Sequence, residues 1–263
     1  MGIINVTPDS FYDGGKFFKD KLDKEKLKKN ISRIAEEGAD FIDIGGESTR
    51  PGSEAITIEE ELERVIPAIE ITKEITDKPI SIDTYKSIIA DEALKTGAEI
   101  VNDISGFRFD EKMPEVVSKY KASCILMHIK GTPKDMQDNP EYENVTAEVY
   151  EYLKHSAEIA EKNNIRQIVI DMGIGFGKKL EHNLNLLQNI GKFKELGYPI
   201  LLGVSNKSFI DKLFPTDIDK RLSGTIAANV IGVMNGVNII RVHNVLENKR
   251  ALIITDALMK NYQ

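Results

Sequence analysis

Cysteine is almost missing from this chain of 263 residues, which contains only Cys124. A single cysteine excludes a disulfide framework, and this agrees with a reducing compartment. The thiol lies in an apolar run, Ser123-Cys124-Ile125-Leu126-Met127, where free cysteines are usually inert core residues rather than nucleophiles. We therefore expect a cytoplasmic protein whose chemistry does not use a thiol.

Positive charge and long apolar segments are also scarce. The formal net charge is −7 at pH 7, which argues against general binding to nucleic acid or to an anionic membrane. No apolar run reaches the about 18 residues that a membrane-spanning helix needs. Residues 1–6 have neither the basic start nor the long apolar stretch of a secretory signal, so none is predicted. An anionic substrate must then be held by a few local cations.

Short runs rich in Ile and Val alternate along the chain with longer amphipathic segments. Such runs are typical of strands that are buried on both faces and therefore parallel. We predict strands at residues 2–5, 41–44, 80–83, 99–103, 123–128, 167–171, 200–204 and 237–242. We predict helices at residues 21–37, 58–76, 86–96, 146–163, 184–196, 220–234 and 251–259. Eight β–α units without a linker predict an α/β fold, a single-domain (β/α)₈ TIM barrel over residues 1–263.

A polar or charged residue stands at the C-terminal end of every predicted strand. In chain order these residues include Asn5, Asp43, Asp83, Asn102, His128, Asp171, Lys207, Arg241 and His243. A single Asp or Asn after a strand is often only a helix cap or a turn former. Polar groups at all eight ends are better explained by an active site, because barrel enzymes build theirs at this end of the strands.

Two other interpretations start from the same residues. A zinc hydrolase could take its ligands from Asp43, Asp83, Asp171, His128 and His243. It is disfavoured because the histidine pair usual after the first strand is missing. The glycines at 173, 175 and 177 suggest a nucleotide loop, but their spacing fits neither a dinucleotide fingerprint nor a phosphate loop. They suit a backbone that approaches a flat ligand closely.

Two long segments resemble the signatures of the dihydropteroate synthase family. They are Asn5-Val6-Thr7-Pro8-Asp9-Ser10-Phe11 with Asp13-Gly14-Gly15, and Gly45-Gly46-Glu47-Ser48-Thr49-Arg50-Pro51-Gly52. The resemblance continues in order along essentially the whole chain, through Ile82-Asp83-Thr84, Asn102-Asp103-Ile104, Leu126-Met127-His128, Gly175-Phe176-Gly177-Lys178, Lys207-Ser208, Arg221-Leu222-Ser223-Gly224 and Arg241-Val242-His243. It implies a barrel that joins 4-aminobenzoate to 6-hydroxymethyl-7,8-dihydropterin diphosphate. The products are pyrophosphate and 7,8-dihydropteroate, used in folate biosynthesis.

The same resemblance assigns residues to each substrate. The pterin is expected to contact Asp83, Asn102, Met127, Asp171, Lys207 and Arg241. The diphosphate is expected at Asn5, Arg241 and His243, with the cofactor Mg²⁺ at Asn5 and Asp9. The aminobenzoate is expected at Phe11, Thr49, Arg50, Pro51, Phe176, Lys207 and Ser208. Asn5, Asp83, Lys207, Arg241 and His243 are expected to be catalytic.

The resemblance also implies behaviour beyond the site. Loops at about 6–20 and 45–57 are expected to act as mobile lids, and sulfonamides to inhibit by mimicking the aminobenzoate. A homodimer through residues 222–234 and 251–259 is expected, although ordinary burial explains the same apolar stripes. The aniline nitrogen needs no strong base, so we expect an SN1-like substitution in which loss of the diphosphate leads.

The chain departs from the family pattern at a few positions. Asn206 replaces the arginine of the usual Ser-Arg-Lys-Ser segment, and Met172 and Ile174 stand where proline and phenylalanine are usual. The missing cation puts aminobenzoate affinity in question, unless that arginine is structural. Asn206 leaves open one alternative, a catalytically impaired pterin-binding homologue. A second alternative is a methyltetrahydrofolate:corrinoid methyltransferase, which shares the pterin-binding barrel but would not need residues 5–11, Arg50 or Lys207-Ser208.

Overall fold

A closed barrel of parallel strands forms the centre of the molecule. The structure, a computed structural model, describes residues 1–7 and 23–259. Its strands are β1 (Gly2–Asn5), β2 (Ile42–Gly45), β3 (Ile80–Asp83), β4 (Ile100–Asp103), β5 (Ser123–Met127), β6 (Ile168–Asp171), β7 (Ile200–Leu202) and β8 (Ile239–Ile240). Each pairs in parallel with the next. Beyond β8, a parallel bridge joins Val242 to Gly2, and the N–H of Ile3 donates to the carbonyl of Val242 at 3.1 Å. The predicted (β/α)₈ barrel is confirmed.

Helices cover the outside of the barrel. They are α1 (Lys24–Glu36), α2 (Ile58–Ile75), α3 (Ser87–Thr96), α4 (Met113–Tyr120), α5 (Val145–Lys162), α6 (Leu180–Gln188), α7 (Ile190–Phe193), α8 (Ser208–Leu213), α9 (Leu222–Met234) and α10 (Val245–Met259). Single 3₁₀ turns lie at Lys194–Leu196 and Ile218–Lys220. None of these helices is long and apolar enough to cross a membrane.

The predicted helix at 184–196 was wrong in its continuity and in its start. Helix α6 ends at Gln188, and α7 and a 3₁₀ turn follow. Asn189 and Gly191, both weak helix formers, stand at the break. The prediction also missed α4 and α8, which at 8 and 6 residues are shorter than the window of about 11 to 18 residues in which helical periodicity is recognised.

The alternation of side chains along each strand separates the core from the site. Ile42, Ile44, Ile80 and Ile82 point outward into the large cluster between strands and helices. The intervening side chains must therefore face the barrel interior. Its N-terminal half is filled by Met1, Ile100, Ile125 and Leu201, with Phe41, Val169 and Ile239 packed against them. This apolar plug leaves the polar strand ends at the opposite mouth.

Candidate active site at the C-terminal ends of the strands

Arg241 joins two carboxylates across the mouth of the barrel. Its Nε donates to Oδ2 of Asp43 at 2.6 Å, and its Nη2 donates to Oδ2 of Asp83 at 2.6 Å. The Asp43 side chain is fully buried, while that of Arg241 is 21% exposed. Two edges of the guanidinium are thus fixed, which holds its plane in one orientation. The residues come from β2, β3 and the end of β8, so closure of the barrel creates this group.

Asp83 keeps one oxygen without a partner. Among the described residues, Oδ1 of Asp83 is buried and accepts no hydrogen bond. Burial raises the pKa of this carboxyl to about 7, against the opposing effect of Arg241. Beside it, Nδ2 of Asn102 lies 3.4 Å from each oxygen of Asp43. Buried acceptors normally have a hydrogen-bond partner, so this oxygen is suited to accept an N–H group or to contact a cation of a ligand.

Asp171 ends β6 and is held by the glycine-rich segment that follows it. The N–H of Gly173 donates to Oδ1 of Asp171 at 2.8 Å. Burial raises the pKa of Asp171, and the nearby Lys207 opposes that rise. Gly173 has φ of +66°, and a side chain there would overlap the carbonyl oxygen of His128. Only glycine therefore allows this segment to lie against the end of β5.

Lys207 connects the loop after β7 to the loop after β6. Its Nζ donates to the carbonyl of Ile174 and lies 4.6 Å from the ring centroid of Phe176. Burial lowers the pKa of Lys207 to about 8, although Asp171 acts in the opposite direction. Lys207 is the residue just before α8, so Ser208 is the first residue of that helix. The cation, the ring and the start of α8 thus lie together.

His243 lies where several cations converge. Its Nδ1 is 3.0 Å from Oγ of Ser205, and its N–H donates to the same oxygen at 3.2 Å. Burial lowers the pKa of His243 to about 3, and Arg241, Arg50 and Lys207 add to the effect. The imidazole is therefore neutral near pH 7 and offers a hydrogen bond rather than a charge. Three cations acting on one ring mark a place that suits an anion.

The loop after β2 is tied down at its base by Glu47. Its Oε2 accepts from the N–H of Ile56 at 3.0 Å and from Nζ of Lys86 at 2.6 Å, and its Oε1 accepts from Tyr85. Farther along the loop, the N–H of Gly52 donates to the carbonyl of Pro133 at 2.9 Å. These contacts fix the entry and exit of the segment that carries Thr49, Arg50 and Pro51.

Asn5 ends β1 next to Gly45 of β2. Its Oδ1 and the Oδ2 of Asp83 each lie 3.7 Å from the point where a side chain on Gly45 would begin. The glycine thus leaves space between two oxygen donors. In the part of the chain that the structure describes, no three His, Cys, Asp or Glu side chains form a group that could hold a metal. Asp43 and Asp83 are each hydrogen-bonded to Arg241, an arrangement that disfavours them as zinc ligands.

Asn206 is buried beside the site and has a structural environment. Its φ is +56°, in the left-handed region that asparagine tolerates better than most residues. Its N–H donates to Oγ1 of Thr225 at 3.0 Å, and its Nδ2 lies 3.4 Å from Oδ1 of Asn244. Arg221 Nη1 donates to its carbonyl at 3.1 Å. The other departures, Met172 and Ile174, are fully buried core residues.

Most residues expected from the sequence meet at this mouth, although two lie outside the described residues. Asp9 and Phe11 are these two. Met127 is buried in a small apolar cluster that Phe176 and Tyr85 contact. Sequence reasoning considered Asp43 only as a strand-end residue and a zinc ligand, and it gave no role to Glu47, Ser205 and Lys178. Each of the four has contacts within or beside the site. Asp43 carried a signal, its place at a strand end, whereas the partners of the others follow only from the fold.

The described residues form a barrel mouth in which buried carboxylates lie beside clustered cations, an arrangement typical of the active sites of barrel enzymes. The chain belongs to the family described as pterin binding enzymes, whose model matches residues 1–243. It is 45% identical over 263 residues to the dihydropteroate synthase of Clostridium beijerinckii, covering 99% of this chain and 94% of that one.

The chain is also similar to solved structures of dihydropteroate synthases. The dihydropteroate synthase of Yersinia pestis, in complex with a sulfonamide drug, superposes with a TM-score of 0.94 at 36% identity, covering 98% of this chain and 93% of that one. The enzyme from Clostridium difficile, in the presence of pteroic acid, has a TM-score of 0.89 at 44% identity, covering 99% and 96%.

Proposed function

We propose that this chain catalyses the dihydropteroate synthase reaction. It would condense 6-hydroxymethyl-7,8-dihydropterin diphosphate with 4-aminobenzoate to 7,8-dihydropteroate and pyrophosphate, in folate biosynthesis. The observation that carries the proposal is the meeting of the carboxylates of Asp83 and Asp171 with Lys207 and Arg241 in one mouth of a pterin-binding barrel. The C. difficile relative was solved with pteroic acid, which contains both halves of the proposed product.

The pterin half is proposed to bind between Asp171 and Arg241. One oxygen of Asp171 already accepts from Gly173, and the remaining lone pairs can accept the paired N–H groups of the pterin edge. Asn102 can complete the ring's polar contacts, and Lys207 can donate to its carbonyl. Because Nε and Nη2 of Arg241 are held by Asp43 and Asp83, the guanidinium plane has a fixed orientation and its face can stack on the ring.

The diphosphate half is proposed to bind near His243. Arg50, Arg241 and Lys207 supply positive charge there, and α10 begins at Val245, two residues after His243. A helix N-terminus adds free N–H groups and a favourable dipole for an anion. Asn5, together with Asp9 of the first loop, would hold Mg²⁺, which binds through few protein groups when phosphates complete its shell. When bound, Mg²⁺ neutralises charge on the diphosphate.

The aminobenzoate is proposed to enter between two loops. Phe176 and Lys207 lie together on one side, with Ser208 at the start of α8 and Thr49, Arg50 and Pro51 on the loop after β2. The family resemblance is the basis for proposing Phe11 as a further residue of this pocket. The loops at about 6–20 and 45–57 are proposed to act as mobile lids over the site. Sulfonamides, found bound to the Y. pestis relative, are proposed to occupy this pocket.

The mechanism follows from the charges that these residues place around the reacting carbon. The aniline nitrogen forms the new C–N bond in its neutral form and then loses one proton to solvent, so no strong base has to act first. Breaking the C–O bond is the harder step, and Arg241 and neutral His243 stabilise the departing oxygen anion. The ionised oxygen of Asp83 stabilises positive charge that spreads from the methylene carbon into the pterin. The substitution is therefore proposed to be SN1-like, without a covalent enzyme intermediate.

One assay tests the activity and separates it from its alternatives. Pyrophosphate and dihydropteroate are measured from synthetic pterin diphosphate, with and without 4-aminobenzoate and Mg²⁺. We expect both products in equal amounts and only with all three components. Pterin binding without turnover would instead indicate an impaired homologue. Methyl transfer from methyltetrahydrofolate to a corrinoid, without pyrophosphate release, would indicate the methyltransferase alternative.

A homodimer and a cytoplasmic location complete the proposal. Exposed apolar side chains concentrate on α9 and α10, at Ile231, Met234, Ile253, Ile254, Leu258 and Met259. Leu258 is 80% exposed, and neighbouring apolar side chains of this size are typical of a surface that another molecule covers. A second copy of the chain is the proposed occupant. The single buried cysteine suits the reducing cytoplasm.

A further inference from the structure

Lys178 is a buried lysine that the proposed mechanism does not use. It is only 1% exposed, and among residues 1–7 and 23–259 it forms no ion pair with a carboxylate. Its Nζ instead lies 2.8 Å from Nδ1 of His128 and 2.8 Å from each of the carbonyl oxygens of Gly173 and Phe176. Burying an amino group is costly unless its hydrogen bonds are made. Here three acceptors lie 2.8 Å from one nitrogen, and the carbonyl oxygen of His128 is a fourth at 3.5 Å.

These contacts do not depend on which protonation state Lys178 adopts. Burial and the nearby Lys207 lower the pKa of Lys178 well below its usual range. An ammonium can donate to all three acceptors. A neutral amine can donate to the two carbonyls and accept from Nδ1–H of His128. In both states the nitrogen joins the ends of the segment 173–176 to each other and to the end of β5.

The segment held in this way contacts three groups of the proposed site. The N–H of Gly173 donates to Asp171 at 2.8 Å, and the carbonyl of Ile174 accepts from Lys207. The ring of Phe176 lies beside the same Lys207 nitrogen. A shift of the segment would therefore move the carboxylate proposed for the pterin and the ring and cation proposed for the aminobenzoate. Both substrate sites depend on one loop.

We propose that Lys178 is a positioning residue that fixes the 173–177 loop and thereby sets the geometry of both substrate sites. The assignment of those sites rests on the proposed function. The substitution Lys178→Met keeps the reach of the side chain and removes its donors. The carbonyls of Gly173 and Phe176 then lose a buried partner, and the loop loses its link to His128.

The experiment compares wild type with Lys178→Met, using Lys179→Met as the matched control. Lys179, the next residue, is only half-buried. For Lys178→Met we expect the Kd of the pterin diphosphate, measured by calorimetry, and the KM of aminobenzoate each to rise about tenfold or more, with a smaller change in kcat. Amide exchange should accelerate in the peptide 171–178 and stay unchanged elsewhere. Lys179→Met should match wild type in all three.

Several outcomes would overturn the proposal. Wild-type affinity and exchange in Lys178→Met would show that the loop holds its position without the lysine. If Lys178→Met does not fold, His128→Phe decides, because it removes one acceptor and keeps an aromatic ring beside Tyr152. Faster exchange confined to the loop with weaker pterin binding supports positioning, and wild-type behaviour overturns it. A wild-type chain that binds no pterin contradicts the proposed function instead.

Discussion

Nη2 of Arg241 donates to Oδ2 of Asp83 at 2.6 Å, yet the other oxygen of Asp83 is buried without a partner among the described residues. The pair is thus only half satisfied. Arg241 stabilises the carboxylate form, while burial favours the neutral form and raises the pKa of Asp83 to about 7. Loss of the diphosphate leaves positive charge on the pterin methylene. That charge, developing beside the free oxygen of Asp83, would give this oxygen the partner that it lacks.

The first prediction concerns pH. Because the pKa of Asp83 is raised to about 7, the carboxylate is lost as the pH falls below 7. We expect kcat/KM for the pterin diphosphate to fall about tenfold per pH unit below that value. Asp83→Asn should lower kcat/KM about a hundredfold at pH 8 and remove the part of the acidic limb that does not come from titration of the diphosphate itself.

The pH dependence of stability is expected to have the opposite sign to that of kcat/KM. The folded state holds this proton more tightly than the unfolded chain, so the contribution of Asp83 to the free energy of unfolding falls as the pH rises from about 4 to about 7. Asp83→Asn should remove that slope in denaturant titrations. The diphosphate group of the substrate also titrates near pH 7. The control for the kinetic prediction is therefore the pH dependence of the Kd of 6-hydroxymethyl-dihydropterin, which has no diphosphate. A kcat/KM for the pterin diphosphate that stays constant between pH 6 and 8 would contradict the assignment of the acidic limb to Asp83.

The second prediction concerns Lys207. Burial lowers its pKa to about 8, so its charge is lost as the pH rises through that value. We expect kcat/KM to fall above pH 8 in the wild type. Lys207→Arg should remove this basic limb because an arginine stays charged, and Lys207→Met should lower kcat/KM at every pH. A basic limb that persists in Lys207→Arg would assign it to another group.

The third prediction concerns Asn206, where the chain lacks the arginine usual in the family. Its side chain is buried against Thr225 and Asn244 at positive φ, so it supports the turn that leads to Lys207. Asn206→Arg should raise the KM of aminobenzoate and lower the thermal midpoint, because the longer side chain does not fit there. Asn206→Gly, which keeps the backbone conformation, should leave this KM within about twofold. Tighter aminobenzoate binding in Asn206→Arg would contradict this structural role.

The sequence predicts the secondary structure and the location of the site better than it predicts the individual side-chain contacts. The eight strands followed from Ile- and Val-rich runs, because strands buried on both faces have a distinct composition. The polar strand ends predicted the position of the site. The pairing of Arg241 with Asp43 and the contact of Lys178 with His128 could not be predicted, because the partners lie 198 and 50 residues apart in the chain. Only the barrel brings them together.

The fourth prediction concerns assembly. A charge placed on the exposed apolar face of α9 and α10 should disrupt a dimer, so Leu258→Glu should convert the protein to a monomer in sedimentation experiments. The site lies at the barrel mouth, so turnover per chain should change little. Ile88→Glu, which alters another exposed apolar side chain, should leave the mass unchanged. A wild-type monomer at micromolar concentration would contradict the dimer proposal.

The most direct test of the catalytic proposal follows the oxygen atom that joins the methylene to the diphosphate. The pterin diphosphate is synthesised with ¹⁸O at that bridge and reacted with 4-aminobenzoate and Mg²⁺, and the products are analysed by mass spectrometry. Cleavage of the C–O bond predicts that all the label appears in pyrophosphate, in an amount equal to the dihydropteroate formed. Label retained in 6-hydroxymethyl-dihydropterin, with unlabelled pyrophosphate released and no dihydropteroate formed, would show a hydrolase that cleaves at phosphorus and would contradict the proposed function.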